Sequence, residues 1–205
     1  MRVNFIWIRT GKCASNSLIG TLNLIMRKSA NANFQIVRRG KVKEAKNNNP
    51  NLFNSAYKFA FVRNPFDRIV SSYFMCLRKG WFDGEFKQFV KTPFHSLTSE
   101  ACKHTQPLTL QLSLNKLTYR QGCYKFAPDQ LDHQVGYLDF IGRFENLQED
   151  FNTLCDKVGV KTIQLPHLNK GIHEHYTKYY DDEIKQIVIE KFEDDIKNFG
   201  YKFGD

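Results

Sequence analysis

The sequence predicts an α/β fold with a central, mainly parallel sheet flanked by helices, and three observations point there. Apolar runs of strand length stand at residues 3–9, 57–63 and 138–145. Each passes through a polar turn into a stretch whose apolar residues recur at helical spacing. Strands that alternate with helices in this way build parallel sheets covered on both faces, and such sheets bind ligands at the carboxyl ends of their strands. With 205 residues, 41% of them hydrophobic, the chain is long enough for one domain spanning 1–205 with a sizeable core.

The first strand, "VNFIWIR" at 3–9, runs into "TGKCASNS" at 10–17, after which Leu18, Ile19, Leu22, Ile25 and Met26 mark a helix. "KVKEAKNNNPNLFNS" at 41–55 has no apolar period and is expected to be an exposed loop. A second strand, "YKFAFVR" at 57–63, meets Asn64 as N-cap and Pro65 at the first helical position. The helix that follows has apolar residues at 66, 69, 70, 73, 74 and 77, leaving Asp67, Arg68, Ser71 and Arg78 on its polar face. Residues 83–135 show weak periodicity and are expected to form short helices and loops. Signal returns with "LDFIGRFE" at 138–145 as a strand and Asn146 to Val158 as a helix. A last helix is expected from about Asp181 to Phe199, closed by Gly200 as C-cap.

Thirty Lys and Arg against 21 Asp and Glu give a net charge of +9, which favours polyanionic partners. No apolar run approaches the roughly 20 residues of a membrane-spanning helix, and the first strand leaves no room for a signal peptide. The expectation is a soluble chain without a membrane anchor, cytoplasmic by default. The five cysteines are scattered and never spaced as Cys-x-x-Cys, against zinc-ribbon and redox readings. Reduced thiols are expected, with a Cys102–Cys123 bridge as the alternative in an oxidising compartment.

Chemistry concentrates at two places. A turn between strand and helix, as at 10–17, aims backbone N–H groups and the helix dipole at one spot; Lys12 adds a charge, and Ser15 and Ser17 add hydroxyls. A Walker A loop would need a leading Gly where Phe5 or Ile6 stands, and Ser or Thr after the Lys, where Cys13 stands. A cysteine-phosphatase loop would need an Arg at position 19, which is Ile. The second place pairs Arg63, at a strand end, with Ser71 on the next helix: a guanidinium and a hydroxyl able to grip one phosphate.

"GKCASNS" at 11–17 resembles the 5′-phosphosulfate loop of the sulfotransferases that use 3′-phosphoadenosine 5′-phosphosulfate (PAPS), and "FVRNPFDRIVSSYF" at 61–74 resembles their 3′-phosphate motif. The wording is most similar to the Golgi carbohydrate branch: the chondroitin, dermatan, HNK-1 and uronyl 2-O-sulfotransferases. "DFIGRFENLQEDFNTL" at 139–154 and "YYDDEIKQIVIEKFEDDIKNFGYKF" at 179–203 agree with it. The resemblance implies a P-loop-like three-layer fold, PAPS as sulfuryl donor and a hydroxyl-bearing acceptor, most naturally a carbohydrate. It also implies that Lys12 meets the bridging oxygen, that Cys13, Ala14, Ser15, Asn16 and Ser17 hold the 5′-phosphate, and that Arg63 and Ser71 hold the 3′-phosphate.

The acceptor hydroxyl also needs a base, for which the middle of the chain offers His95, Glu100, His104 and His133. His104 is preferred, because imidazole titrates near working pH. In "HLNKG" at 167–171, Lys170 is a further candidate for phosphate or an acidic acceptor. His167, His173 and His175 have no spacing that demands a metal, and none is expected. Trp7 and Trp81 read as packing residues. A phosphate-loop kinase or NTPase and a basic nucleic-acid-binding module are the rival functions; the first lacks a magnesium partner, the second any recognition motif.

Overall fold

In the computed structural model, the described residues are 3–28, 32–38, 41–93, 96–98, 101, 104–112, 118–120, 123–125, 137–166, 168 and 173–205. Four strands form a parallel sheet in the order β2-β1-β3-β6: β1 Val3–Ile8, β2 Ala32–Val37, β3 Tyr57–Val62 and β6 Phe140–Arg143. The two central strands contribute Phe5 to Ile8 and Phe59 to Val62 to the core, which explains why both read as unbroken apolar runs rather than alternating ones. Short strands β4 (Thr118–Arg120) and β5 (Cys123–Lys125) pair antiparallel as a separate ribbon, where only helices and loops were expected.

Helices α1 (Ser15–Lys28), α4 (Pro65–Arg78) and α7 (Leu147–Val158) follow β1, β3 and β6, as their periodicity predicts. Asn64 caps α4 by accepting from the Phe66 amide at 3.0 Å. The stretch expected to be an exposed loop instead forms α2 (Val42–Asn48) and α3 (Pro50–Ser55). Asn49 caps α3 ahead of Pro50, the same Asn-Pro device that opens α4, and Val42 and Phe53 supply the buried anchors. β2 was also missed, although Asn33 to Ile36 alternate between more and less exposed positions, as an edge strand should.

Two hydrophobic clusters result. One lies against the sheet and includes Phe5, Trp7, Leu18, Phe61 and Phe151. The other joins α4 to α5 (Phe86–Lys91) and to α8 (Asp182–Lys191), through Phe66, Tyr73, Phe89, Val188 and Phe192. The predicted single C-terminal helix is broken at Phe192 into α8 and α9 (Glu193–Phe199), with Gly200 closing α9 at φ 66°. A further short helix, α6, spans Leu108–Leu112. Among the described residues no helix is long and apolar enough to cross a membrane.

The order β2-β1-β3 places the turn of strand progression between β1 and β3. Loops leaving their carboxyl ends therefore diverge and leave a crevice. Both motifs singled out above, 10–17 and 63–71, start at that crevice.

Candidate active site

A cleft of about 790 Å³ opens at these strand ends, of a size suited to a nucleotide-sized ligand. One side is the loop after β1. Thr10 Oγ1 donates to the Phe61 carbonyl at 2.5 Å, fastening the loop to β3, and Ser15 Oγ donates back to the Thr10 carbonyl at 2.9 Å. Lys12 and Ala14 adopt left-handed backbone, φ 67° and 54°, unusual for residues with a Cβ. Left-handed residues at alternate positions give the kind of curved backbone whose amides converge on an anion.

Lys12, Ala14, Ser15, Asn16 and Ser17 all line the cleft, as do Arg63, Ser71 and His104. Cys13 does not. Its side chain is fully buried in the sheet core and its thiol points to the Gly11 carbonyl, so only its backbone can serve a ligand in the loop. Burial raises the Cys13 thiol to about 11, which removes the thiolate a phosphatase loop would require. Lys170, His95, Glu100, His133, His167 and Cys102, and with Cys102 the Cys102–Cys123 bridge, lie outside the described residues.

Arg63 is held in a fixed pose. Its Nε and one terminal nitrogen reach Asp67 Oδ2 at 2.8 Å, and the other terminal nitrogen donates to the Lys12 carbonyl at 3.1 Å. Its guanidinium stacks over Phe144 at 3.9 Å. Arg63 thus ties the second motif to the first, with donor capacity left for a ligand. Asn64 gathers the other two motifs: its amide donates to Glu145 at 2.6 Å and its side chain donates to the Lys202 carbonyl at 2.9 Å.

Arg9, Lys12, Arg63, Arg78 and Lys79 line the cleft, and Glu145 is the carboxylate among the described lining residues. Five cationic side chains thus face one carboxylate, whose oxygens accept from the Asn64 amide and the Tyr201 hydroxyl, and the field in the cleft is positive. Burial first, then Arg63 and Arg78, lowers Lys12 to about 8. Arg9 and Lys79 were not singled out from sequence, and Arg78 was noted only as a polar-face residue. Their signal, basic residues at the end of a strand and of a helix that both abut a motif, is weak without the fold.

His104 stacks with Trp81, ring centroids 6.1 Å apart. Arg68 was expected on the solvent side of α4, but it is buried and pairs with buried Asp195 at 3.5 Å. The helix turns this position toward α9 and the His104 carbonyl rather than toward water. Asp195 in turn accepts from the Leu108 and Thr109 amides and from Thr109 Oγ1. His173 lines the cleft, stacked on Phe74 with Nδ1 against the Glu174 carbonyl, while His175 bonds Thr177. Among the described residues no group of three His, Cys, Asp or Glu gathers as a metal site.

A parallel sheet whose central strand ends in a left-handed, lysine-bearing loop opening a helix defines an α/β protein of the phosphate-loop class. More particularly, the chain belongs to the sulfotransferase family, whose pattern matches residues 2–202. It is a transferase of sulfuryl groups. An uncharacterized protein from Archaeoglobus fulgidus is 27% identical over 128 residues, which cover 62% of this chain and 88% of that protein. The crystal structure of a sulfotransferase from Alicyclobacillus acidocaldarius is similar in fold, with a TM-score of 0.51 at 16% identity, over 96% of this chain and 94% of that one.

Proposed function

We propose that the cleft binds PAPS and that the chain transfers its sulfuryl group to a hydroxyl, on a carbohydrate of the kind used by the Golgi branch its motifs resemble. One observation carries the reading: Lys12, in its left-handed loop, and Arg63 with Ser71 line the same positive cleft. Two anion-binding groups in one crevice suit a donor with phosphate at both its 5′ and 3′ ends. A donor with one phosphate chain would leave the second group idle.

In this reading the loop from Lys12 to Ser17 holds the 5′-phosphosulfate, and Arg63 and Ser71 hold the 3′-phosphate, with Lys170 assisting. Lys12 neutralises the charge that grows on the leaving phosphate oxygen as the sulfur–oxygen bond breaks, so its contribution is greatest in the transition state. His104 takes the proton of the attacking hydroxyl. Burial, with Arg63 and Arg78 adding to it, holds Lys12 near 8. An incoming polyanion opposes that shift and keeps Lys12 charged over a wider pH range.

The test is a comparison of thermal shifts. Adenosine 3′,5′-bisphosphate should stabilise the fold by about 2.7 kcal/mol at a hundredfold excess over Kd. Adenosine 5′-monophosphate should do much less, and the difference should shrink in Arg63→Ala. Equal shifts from the two nucleotides in the wild type would overturn the assignment of Arg63 and Ser71.

A further inference from the structure

The segment 104–112 is pinned from three directions, and each pin is a side chain buried away from water. At its start, the His104 carbonyl accepts from Arg68 at 3.3 Å and from Ser72 Oγ at 3.1 Å, both on α4. In its middle, Asp195 of α9 accepts the Leu108 and Thr109 amides at 2.7 and 2.8 Å. Near its end, Gln111 reaches across to the donor loop, where its Oε1 accepts the Gly11 amide at 2.7 Å. The Gln111 Nε2 donates to the Gln106 carbonyl at 2.8 Å, which fixes the direction of the side-chain amide.

This arrangement is costly if its purpose is stability alone. A buried Arg–Asp pair is often no better than apolar residues of the same shape, whereas it does fix geometry. The Gly11 amide is also the one immediately before Lys12, and its partner belongs to a segment 100 residues away in sequence. A bond at that peptide constrains the orientation from which Lys12 departs, and Lys12 holds a backbone conformation that nothing in its own side chain favours.

We propose that Gln111 is a positioning residue that clamps the donor loop to the segment carrying His104, while Arg68 and Asp195 hold the far side of that segment. Donor loop and acceptor side then keep a fixed spacing, and a ligand that orders the loop also orders 104–112. The proposal rests on the reading of the cleft as a donor site, and the test separates the two.

The test is hydrogen exchange, followed by mass spectrometry, with adenosine 3′,5′-bisphosphate as the probe. In the wild type the nucleotide should slow exchange both in the loop 9–17 and in 104–112, by about tenfold or more at saturation. In Gln111→Leu the protection should remain in the loop and disappear from 104–112. Gln111→Glu supplies a rescue that a mere space-filler would not show. Either form of the introduced carboxyl can accept from Gly11, and the neutral form, which burial favours, also donates to Gln106. Coupled protection should therefore survive in Gln111→Glu, which keeps the acceptor that Gln111→Leu lacks. If the nucleotide protects neither region of the wild type, the donor reading fails. If it protects both regions equally in wild type and in Gln111→Leu, or if Gln111→Glu loses the coupling as Gln111→Leu does, the clamp is overturned. Should Gln111→Leu fail to fold, Gln111→Met, closer in shape and without the amide, takes its place.

Discussion

The two sides of the cleft are built on different principles. The loop side is made of main chain: a turn within residues 9–17 that Thr10 fastens to the Phe61 carbonyl of β3, two left-handed residues and a Ser15 hydroxyl that bonds back to the Thr10 carbonyl. The opposite side, where Ser71, Arg78 and His104 line the cleft, is backed by side chains from α4, α6 and α9: Arg68, Asp195 and Thr109 join across as many as 127 positions, and Gln111 reaches the Gly11 amide. A main-chain site tolerates exchange of side chains that do not face the ligand, as with buried Cys13. A side-chain network fails when one member is removed, because its partners are left buried and unpaired.

The largest expected effect tests that fragility. Asp195→Ala strips partners from Arg68, Leu108 and Thr109 at once, and should cost about 3–5 kcal/mol in denaturant unfolding. A loss under about 1 kcal/mol would mean that the network is not what holds this side.

Next is Lys12→Ala, which should lower kcat by about a hundredfold to a thousandfold while leaving bisphosphate affinity within a small factor. Normal kcat with raised KM would make Lys12 a binding residue and would leave the loop side without its role in the chemistry.

A smaller effect follows from the lowered Lys12. Its folded value of about 8 lies below the ordinary 10.5, so the folded chain binds fewer protons than the unfolded chain between these values. The cost of keeping Lys12 charged is present below 8 and fades as pH rises through that window, so this group makes the ligand-free fold relatively more stable toward 10.5. Bisphosphate binding should move the opposite way, weakening as pH passes about 8 but by no more than the small factor expected for Lys12→Ala, and calorimetry on that variant should show no such limb.

The smallest effect belongs to Ala14→Gly. Ala14 holds φ 54°, where glycine is at ease, and relief of that strain of about 1–2 kcal/mol is set against the greater freedom glycine gives the unfolded chain. The melting temperature should stay level or rise by a few degrees. A marked fall would mean that the Ala14 side chain, and not the backbone path, shapes the loop.

What the sequence determined by itself was local. The apolar runs at 5–8 and 59–62 required buried strands, the Asn64-Pro65 pair required a helix start, and Lys12 and Arg63 stood at strand ends because the strands stop there. These features are set by neighbours within a few residues, and periodicity and capping report them. α2 and α3 escaped because their burial rests on single anchors, Val42 and Phe53, too few to make a period. β2 was likewise missed because an edge strand buries little.

Only the tertiary structure decided that Arg68 turns inward, that Cys13 leaves the site through its side chain, and that Gln111 holds the Gly11 amide. Each depends on which distant segment arrives opposite, and a charged residue that will be paired in the core looks, in sequence, like one that will be left in water. The cost of burial selects between the two outcomes. It becomes visible only when the partner, here Asp195, is in place.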